Sequence, residues 1–193
     1  MHSPTPCLAL GIAIALGSFA LSGCGGGASA QEEASVPSNT TSKGNSDGKD
    51  AHPLLGKRGP DFARKTVSGN ATISLHGLSG RVTVVDFWAT WCVPCRKSFP
   101  KLEALNAKYR SNGLEVVGIS EDDDKTGISA FQAGLGAKFP VVWDEDKVIA
   151  LKWQPKSMPS TFILDRNGMI RFVHLGYHDH DEAEIEREIR SLL

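Results

Sequence analysis

The chain has 193 residues and a formal net charge of −1, from 21 Lys and Arg against 22 Asp and Glu. That length fits one ordinary domain with appendages, and the balance of charge gives no electrostatic reason to expect nucleic acid as a partner. The four cysteines cannot form a structural disulfide framework, because Cys7 and Cys24 lie in the N-terminal region while only Cys92 and Cys95 fall within globular sequence.

Cys7 to Leu21 is an apolar run of about 15 residues, the length of a signal-peptide core and short of the roughly 20 that a spanning helix needs. Leu21-Ser22-Gly23-Cys24 resembles the bacterial lipobox, whose small residues admit a peptidase ahead of an acylated cysteine. The resemblance implies a signal peptide over residues 1–23 and a lipid on Cys24, although no Lys or Arg precedes the apolar run. Residues 24–52 then read as the acylated cysteine and a flexible linker, since Gly, Ser, Asn, Thr and Lys bury too little apolar surface to offset ordering entropy. Such a coil of about 28 residues has a root-mean-square span of roughly 30 Å.

A domain is expected over residues 53–193. Phe62–Val67 and Ala71–Leu75, split by Ser68-Gly69-Asn70, predict a hairpin, and Leu78-Ser79-Gly80 turns the chain into a strand over Val82–Trp88. That strand is nearly all apolar, as in a central strand covered on both faces. Phe99, Leu102, Leu105 and Tyr109 predict a helix from Val93 to Arg110 with Pro100 as a kink, ended by Asn112-Gly113. Next come a strand over Leu114–Ser120, a helix over Asp124–Ala133, a strand over Phe139–Trp143 and a short helix over Lys147–Trp153 before Pro155. The acidic run Glu121–Asp124 reads as a charge complement to the dipole of the helix it precedes. Thr161–Leu164 and Ile170–Leu175 flank a turn at Asp165-Arg166-Asn167-Gly168, and Asp181-x-x-Glu184 reads as a capping box for a last helix to Leu192. The pattern predicts an α/β domain with a central mixed sheet and helices on both faces. His174, His178 and His180 read as a solvated cap before the last helix rather than a metal cluster.

Cys92-Val93-Pro94-Cys95 follows the strand directly and opens a helix. A spacing of three puts both sulfurs on one side of the first turn, and the helix N-terminus favours a thiolate on Cys92. A redox pair fits this better than half a zinc site, for which no second cysteine pair exists.

The run from Val85 to Arg96, with Met158-Pro159-Ser160-Thr161-Phe162 downstream and Asp165-x-x-Gly168 after it, resembles the TlpA/ResA branch of the thioredoxin superfamily. Pro53 to the C-terminus is covered, including an inserted βα segment from Glu121 to Trp153. The resemblance implies a thioredoxin-like fold and a membrane-tethered, extracytoplasmic thiol-disulfide oxidoreductase. In that reading Cys92 is the exposed attacking thiol and Cys95 the resolving thiol. Asp86, six residues before Cys92, matches the buried aspartate that takes the Cys95 proton; its alternative is a strand-end Asp facing solvent. Pro159 matches the cis-proline beside the active turn, the alternative being a trans proline that starts a strand, and Trp91, Met158, Pro159 and Ser160 are the expected substrate-binding residues.

No cofactor is implied beyond the Cys92–Cys95 disulfide, and no metal. The implied partners are protein thiols and disulfides, a membrane electron-donor oxidoreductase, and the membrane itself through Cys24, with the domain a monomer. Ser98 departs from the branch, where a Glu is common three residues after the second cysteine and is linked to substrate choice. Reduction of protein disulfides, extending to cytochrome c maturation, is the leading reading. A copper-delivery protein stands second, because exposed thiolates near Met158 are soft ligands. A thiol peroxidase is third, since Ala89 and Val85 occupy positions where peroxiredoxins carry Thr and Pro.

Overall fold

The computed structural model describes residues 52–193; the expected signal peptide, the expected lipid site at Cys24 and the expected linker as far as residue 51 lie outside the described residues. A short hairpin, β1 (Ala63–Lys65) and β2 (Thr72–Ser74), opens the domain. Then follow β3 (Val82–Trp88), α1 (Cys95–Tyr109), β4 (Leu114–Ser120), α2 (Ile128–Gly134), β5 (Val141–Trp143), α3 (Val148–Trp153), β6 (Ser160–Leu164), β7 (Ile170–Leu175) and α4 (Asp181–Leu192). The main sheet has the order β5-β4-β3-β6-β7, with β3, β4 and β5 parallel and β6 and β7 antiparallel to their neighbours. This is the mixed α/β, thioredoxin-like architecture that the sequence implies. Among the described residues no helix is long and apolar enough to cross a membrane.

Strand alternation divides the core into two layers. Val82, Val84 and Trp88 of β3 point to the side of α1, where they meet Phe99, Leu102 and Leu105, with Ile185 and Ile189 of α4 in the same cluster. Val85 and Phe87 point the other way, into a layer with Phe62, Ile149, Trp153 and Phe162. Asp86 therefore lies on the α1 side, the side that also holds Cys95. Burying a side chain such as Phe99 is worth about 2–3 kcal/mol, so α1, and with it the cysteine turn, is anchored from below. Gly118 of β4 allows this packing: a Cβ there would come within 3.0 Å of the Trp88 indole nitrogen and 3.3 Å of Phe139.

Several boundaries differ from the sequence reading, each for a local reason. α1 starts at Cys95 rather than Val93, because Val93 and Pro94 form the turn, and it continues past Pro100 as one element. α2 starts at Ile128 rather than Asp124, after Gly127 at φ 85°, since Asp124 instead accepts the Thr126 N–H at 2.6 Å. β5 loses Phe139, whose N–H goes to Glu103. The capping box at Asp181 does not form: α4 is capped by His180 without a side-chain bond, and Asp181 accepts the His178 N–H at 2.6 Å.

Candidate active site

Cys92 and Cys95 are joined in a disulfide, with Cα atoms 5.3 Å apart. The geometry follows from the end of β3: the chain leaves the sheet at Trp88, closes a turn in which the Cys92 N–H donates to the Ala89 carbonyl at 3.1 Å, and enters α1 at Cys95. The Cys95 N–H, one of the donors that a helix start leaves free, points at the Cys92 sulfur from 3.2 Å. A thiolate on Cys92 would be stabilised by that donor and by the helix dipole.

Cys92, the expected attacking cysteine, is more enclosed than the resemblance implies. Cys92 is only 4% exposed and Cys95 is fully buried, whereas Trp91 and Val93 on either side are 65% and 69% exposed. In the disulfide the Cys92 sulfur turns inward towards its partner and the helix N–H, leaving its neighbours to form the surface. An open groove of about 590 Å³ runs over this turn, bounded by Trp91, Cys92, Val93 and Pro94 on one side and by Pro155 to Met158 on the other.

Met158-Pro159 is a cis peptide, as the resemblance implies. Of the residues read as substrate-binding, Trp91 and Met158 border the groove. Pro159 is buried beneath it and lines a separate small cavity between α1 and α4. Ser160 is fully buried, and its hydroxyl donates to the Ser157 carbonyl at 2.6 Å, so its side chain ties down the loop.

Asp86 is fully buried rather than facing solvent. Its Oδ1 accepts the Thr161 hydroxyl at 2.7 Å across the β3–β6 pair, and its Oδ2 has no hydrogen-bond partner. Burial pushes this carboxyl up to about 7, against the smaller opposing pull of the Thr161 hydrogen bond. Thr161 and Ser98 both border the α1–α4 cavity, which at about 20 Å³ is large enough for about one water. The Ser98 hydroxyl donates to the Cys95 carbonyl at 3.2 Å.

The acidic run after β4 does not serve α2. Glu121 and Asp122 are buried, and Asp122 accepts from Thr90, beside the cysteine turn, and from Ser120. Burial and then the neighbouring Asp144 push the Glu121 carboxyl up to about 7. Of the three histidines near the last helix, only His174 is substantially enclosed, paired with Glu188 at 2.6 Å. Burial lowers its pKa, and the Glu188 hydrogen bond with nearby carboxylates more than reverses this, so the net shift is upward. No cluster of potential metal ligands occurs among the described residues.

Sequence reasoning missed Thr161, Thr90 and Asp122. Thr161 follows two residues after the cis-proline, but its contact with Asp86 depends on strand register. The acidic run was visible, and what it binds was not.

The Redoxin family profile matches residues 54–189. The thioredoxin-like protein YneN of Bacillus subtilis is 36% identical over 132 residues, which cover 67% of this chain and 76% of that protein. The thiol-disulfide oxidoreductase ResA of Bacillus thuringiensis is 29% identical over 130 residues, covering 67% and 75%. A crystal structure from Chlorobium tepidum, of a proposed thiol:disulfide interchange protein DsbE, superimposes with a TM-score of 0.68 at 34% identity, covering 72% of this chain and 96% of that one.

Proposed function

The chain belongs to the Redoxin family and is a ResA-like, thioredoxin-fold thiol-disulfide oxidoreductase, and from that premise we propose that it reduces protein disulfides outside the cytoplasm. The observation that carries the reading is the Cys92–Cys95 pair at the start of α1, beneath a groove walled by Trp91 and Met158. An extended substrate segment can lie there with its disulfide over Cys92.

In the dithiol state, the Cys92 thiolate attacks one sulfur of the substrate disulfide. A mixed disulfide forms, and the other substrate sulfur leaves as a thiolate and takes a proton from water. Cys95 then gives its proton to ionised Asp86, directly or through a water, and its thiolate attacks the Cys92 sulfur. The mixed disulfide breaks, the second substrate thiolate leaves, and the Cys92–Cys95 disulfide closes, so two electrons have passed to the substrate. The free oxygen of Asp86, its upward-shifted carboxyl and its place on the α1 side of β3 support it as the base. Thr161 links Asp86 to the α1–α4 cavity, a route by which the proton can return to solvent.

An upstream dithiol donor in the membrane would restore the reduced state, and no bound cofactor enters the cycle. The apolar run before Leu21-Ser22-Gly23-Cys24 supports export and lipid attachment at Cys24. Apocytochrome c is a candidate substrate, with Ser98 in place of the carboxylate common in that branch as the feature that separates this chain from those relatives.

The test is turnover of a model protein disulfide by purified protein. Wild type is expected to turn over, with a reversible Cys92–Cys95 disulfide whose potential lies nearer the roughly −270 mV of thioredoxin than the roughly −120 mV of a dedicated oxidant. Cys92→Ser is expected to abolish turnover. Stoichiometric Cu(I) binding with negligible reductase activity would replace this reading with copper delivery.

A further inference from the structure

The turn that carries Cys92 is held from two directions by charged side chains, and one of them belongs to the inserted segment after β4. Asp122 accepts the Thr90 N–H at 3.1 Å with both carboxylate oxygens, and its Oδ1 also takes the Thr90 hydroxyl at 2.6 Å. Its Oδ2 takes the Ser120 hydroxyl at 2.7 Å, so neither oxygen is left free. On the opposite side of the same residue, Arg96 of α1 donates to the Thr90 carbonyl at 3.3 Å while its guanidinium lies 4.7 Å above the Phe131 ring of α2. Phe131 in turn stacks on Trp88, the last residue of β3, at 4.8 Å.

Asp122 is itself fixed. Its carbonyl accepts the Trp143 indole N–H at 2.8 Å and the Lys147 ammonium at 2.7 Å, and Lys147 also donates to the Glu121 carbonyl at 2.7 Å. Glu121 donates its N–H to the Trp88 carbonyl at 2.8 Å. Every polar backbone group of Thr90 thus ends on a charged side chain, and those side chains are held by residues of β4, β5 and α2 and by Lys147 just before α3. A displacement of about 1 Å at a reacting sulfur can cost on the order of 100-fold in rate, so a turn held this firmly two residues from Cys92 bears on the chemistry.

We propose that Asp122 is a positioning residue for the reaction: through Thr90 it holds the Trp91–Cys92 turn so that the two cysteine sulfurs stay aligned for attack and ring closure. The inserted βα segment then serves the active site as a brace. The proposal rests on Cys92 being the attacking thiol, and its test separates the two. Reduced wild type is alkylated with iodoacetamide, and Cys92 is expected to react first; earlier reaction at Cys95 would overturn the assignment of the nucleophile and this proposal with it.

With that established, each variant is equilibrated against glutathione and its rate of first attack on a model disulfide is measured. Asp122→Ala loosens the dithiol turn more than the closed ring. Its disulfide is therefore expected to become easier to reduce by about tenfold in the equilibrium constant, about 30 mV for a two-electron couple, with first attack about tenfold slower. Asp122→Asn keeps an acceptor for Thr90 and is expected to stay within about threefold of wild type in both. If Asn falls as far as Ala, charge rather than position is responsible and the proposal fails. Thr90→Val removes the shortest of these bonds from a half-buried surface residue and decides the matter if Asp122→Ala does not fold. It is expected to shift the equilibrium about threefold in the same direction, with Thr90→Ser restoring wild type. Wild-type potential and attack rate in Thr90→Val, or in folded Asp122→Ala, would overturn the proposal.

Discussion

Asp86 on β3 and Asp122 just beyond β4 are both shut away from solvent close to the same cysteine turn, but their oxygens are used differently. Asp86 has one oxygen bonded to Thr161 and one with no partner. Asp122 accepts from the Thr90 N–H, the Thr90 hydroxyl and the Ser120 hydroxyl, which occupy both of its oxygens. Removing a carboxylate from water costs several kcal/mol unless hydrogen bonds replace the lost hydration. Asp122 has those replacements, and through them it holds a loop. Asp86 lacks them, so its charged form is penalised and its bare oxygen is open to a proton. On the roles proposed for these two residues, the number of donors around a buried acid separates a base from a brace.

The largest expected consequence is in stability. An unfolded Asp ionises near 3.8, whereas folded Asp86 keeps its proton up to about 7. Between these values the folded chain binds more protons than the unfolded one, so this group's penalty is absent below about pH 4, grows as pH rises and is complete above about 7. Asp86→Asn removes it. The variant is expected to match wild type at about pH 4 and to exceed it at about pH 8 by up to about 4 kcal/mol, the value of about three pKa units, as measured by denaturant unfolding of both oxidised proteins. Glu121, also pushed up to about 7, adds a fall in the same window, so the variant keeps part of the pH dependence. Equal stability at pH 8 would mean that Asp86 is as well solvated as Asp122, and the contrast would collapse.

Second in size is the resolving step. Asp86→Asn is expected to slow release of the mixed disulfide by about 100-fold near pH 7.5, within the range for loss of a general base, while first attack by Cys92 changes less than about threefold. In wild type the release rate is expected to climb as pH rises through about 7, because only ionised Asp86 can accept the Cys95 proton. The variant is expected to lose that inflection. Stopped-flow mixing with a single-disulfide substrate resolves the two steps, and an inflection that survives in the variant would remove Asp86 from the mechanism.

These two acids also mark where the sequence was legible. The strands Val82–Trp88, Leu114–Ser120 and Ile170–Leu175 could be read to the residue, because long apolar runs report burial directly. Cys92 and Cys95 could be placed together because a spacing of three at a helix start fixes their relation, and the burial of Asp86 is what the family resemblance implies. Thr161 touches Asp86 from 75 residues away, and Asp122 reaches Thr90 from 32. No local pattern encodes such pairings, which depend on strand order and register. The run Glu121–Asp124 shows the cost: its charges were plain, but its first two residues turn inward, Asp122 on to Thr90 beside the cysteine turn, and the helix after it starts only at Ile128.

The smallest expected effect gives the closest comparison, because it makes the same chemical change at both acids. Thr161→Val deletes the hydroxyl that donates to Asp86 at 2.7 Å and keeps the side chain's shape. That bond favours the ionised carboxyl, so its loss is expected to raise the Asp86 pKa further, by about one unit. The release-rate inflection then moves to higher pH by the same amount and the plateau above it stays at the wild-type rate, with Thr161→Ser returning the inflection to its place. Thr90→Val deletes the hydroxyl at the other acid, but Asp122 still accepts the Thr90 N–H and the Ser120 hydroxyl. There the expected change is in the disulfide equilibrium, with the inflection unmoved, because the group that titrates is elsewhere. If Thr161→Val left the inflection fixed, or Thr90→Val moved it, the division between the open and the saturated carboxylate would be wrong. A pH series on the two valine variants therefore tests the comparison without disturbing either acid itself.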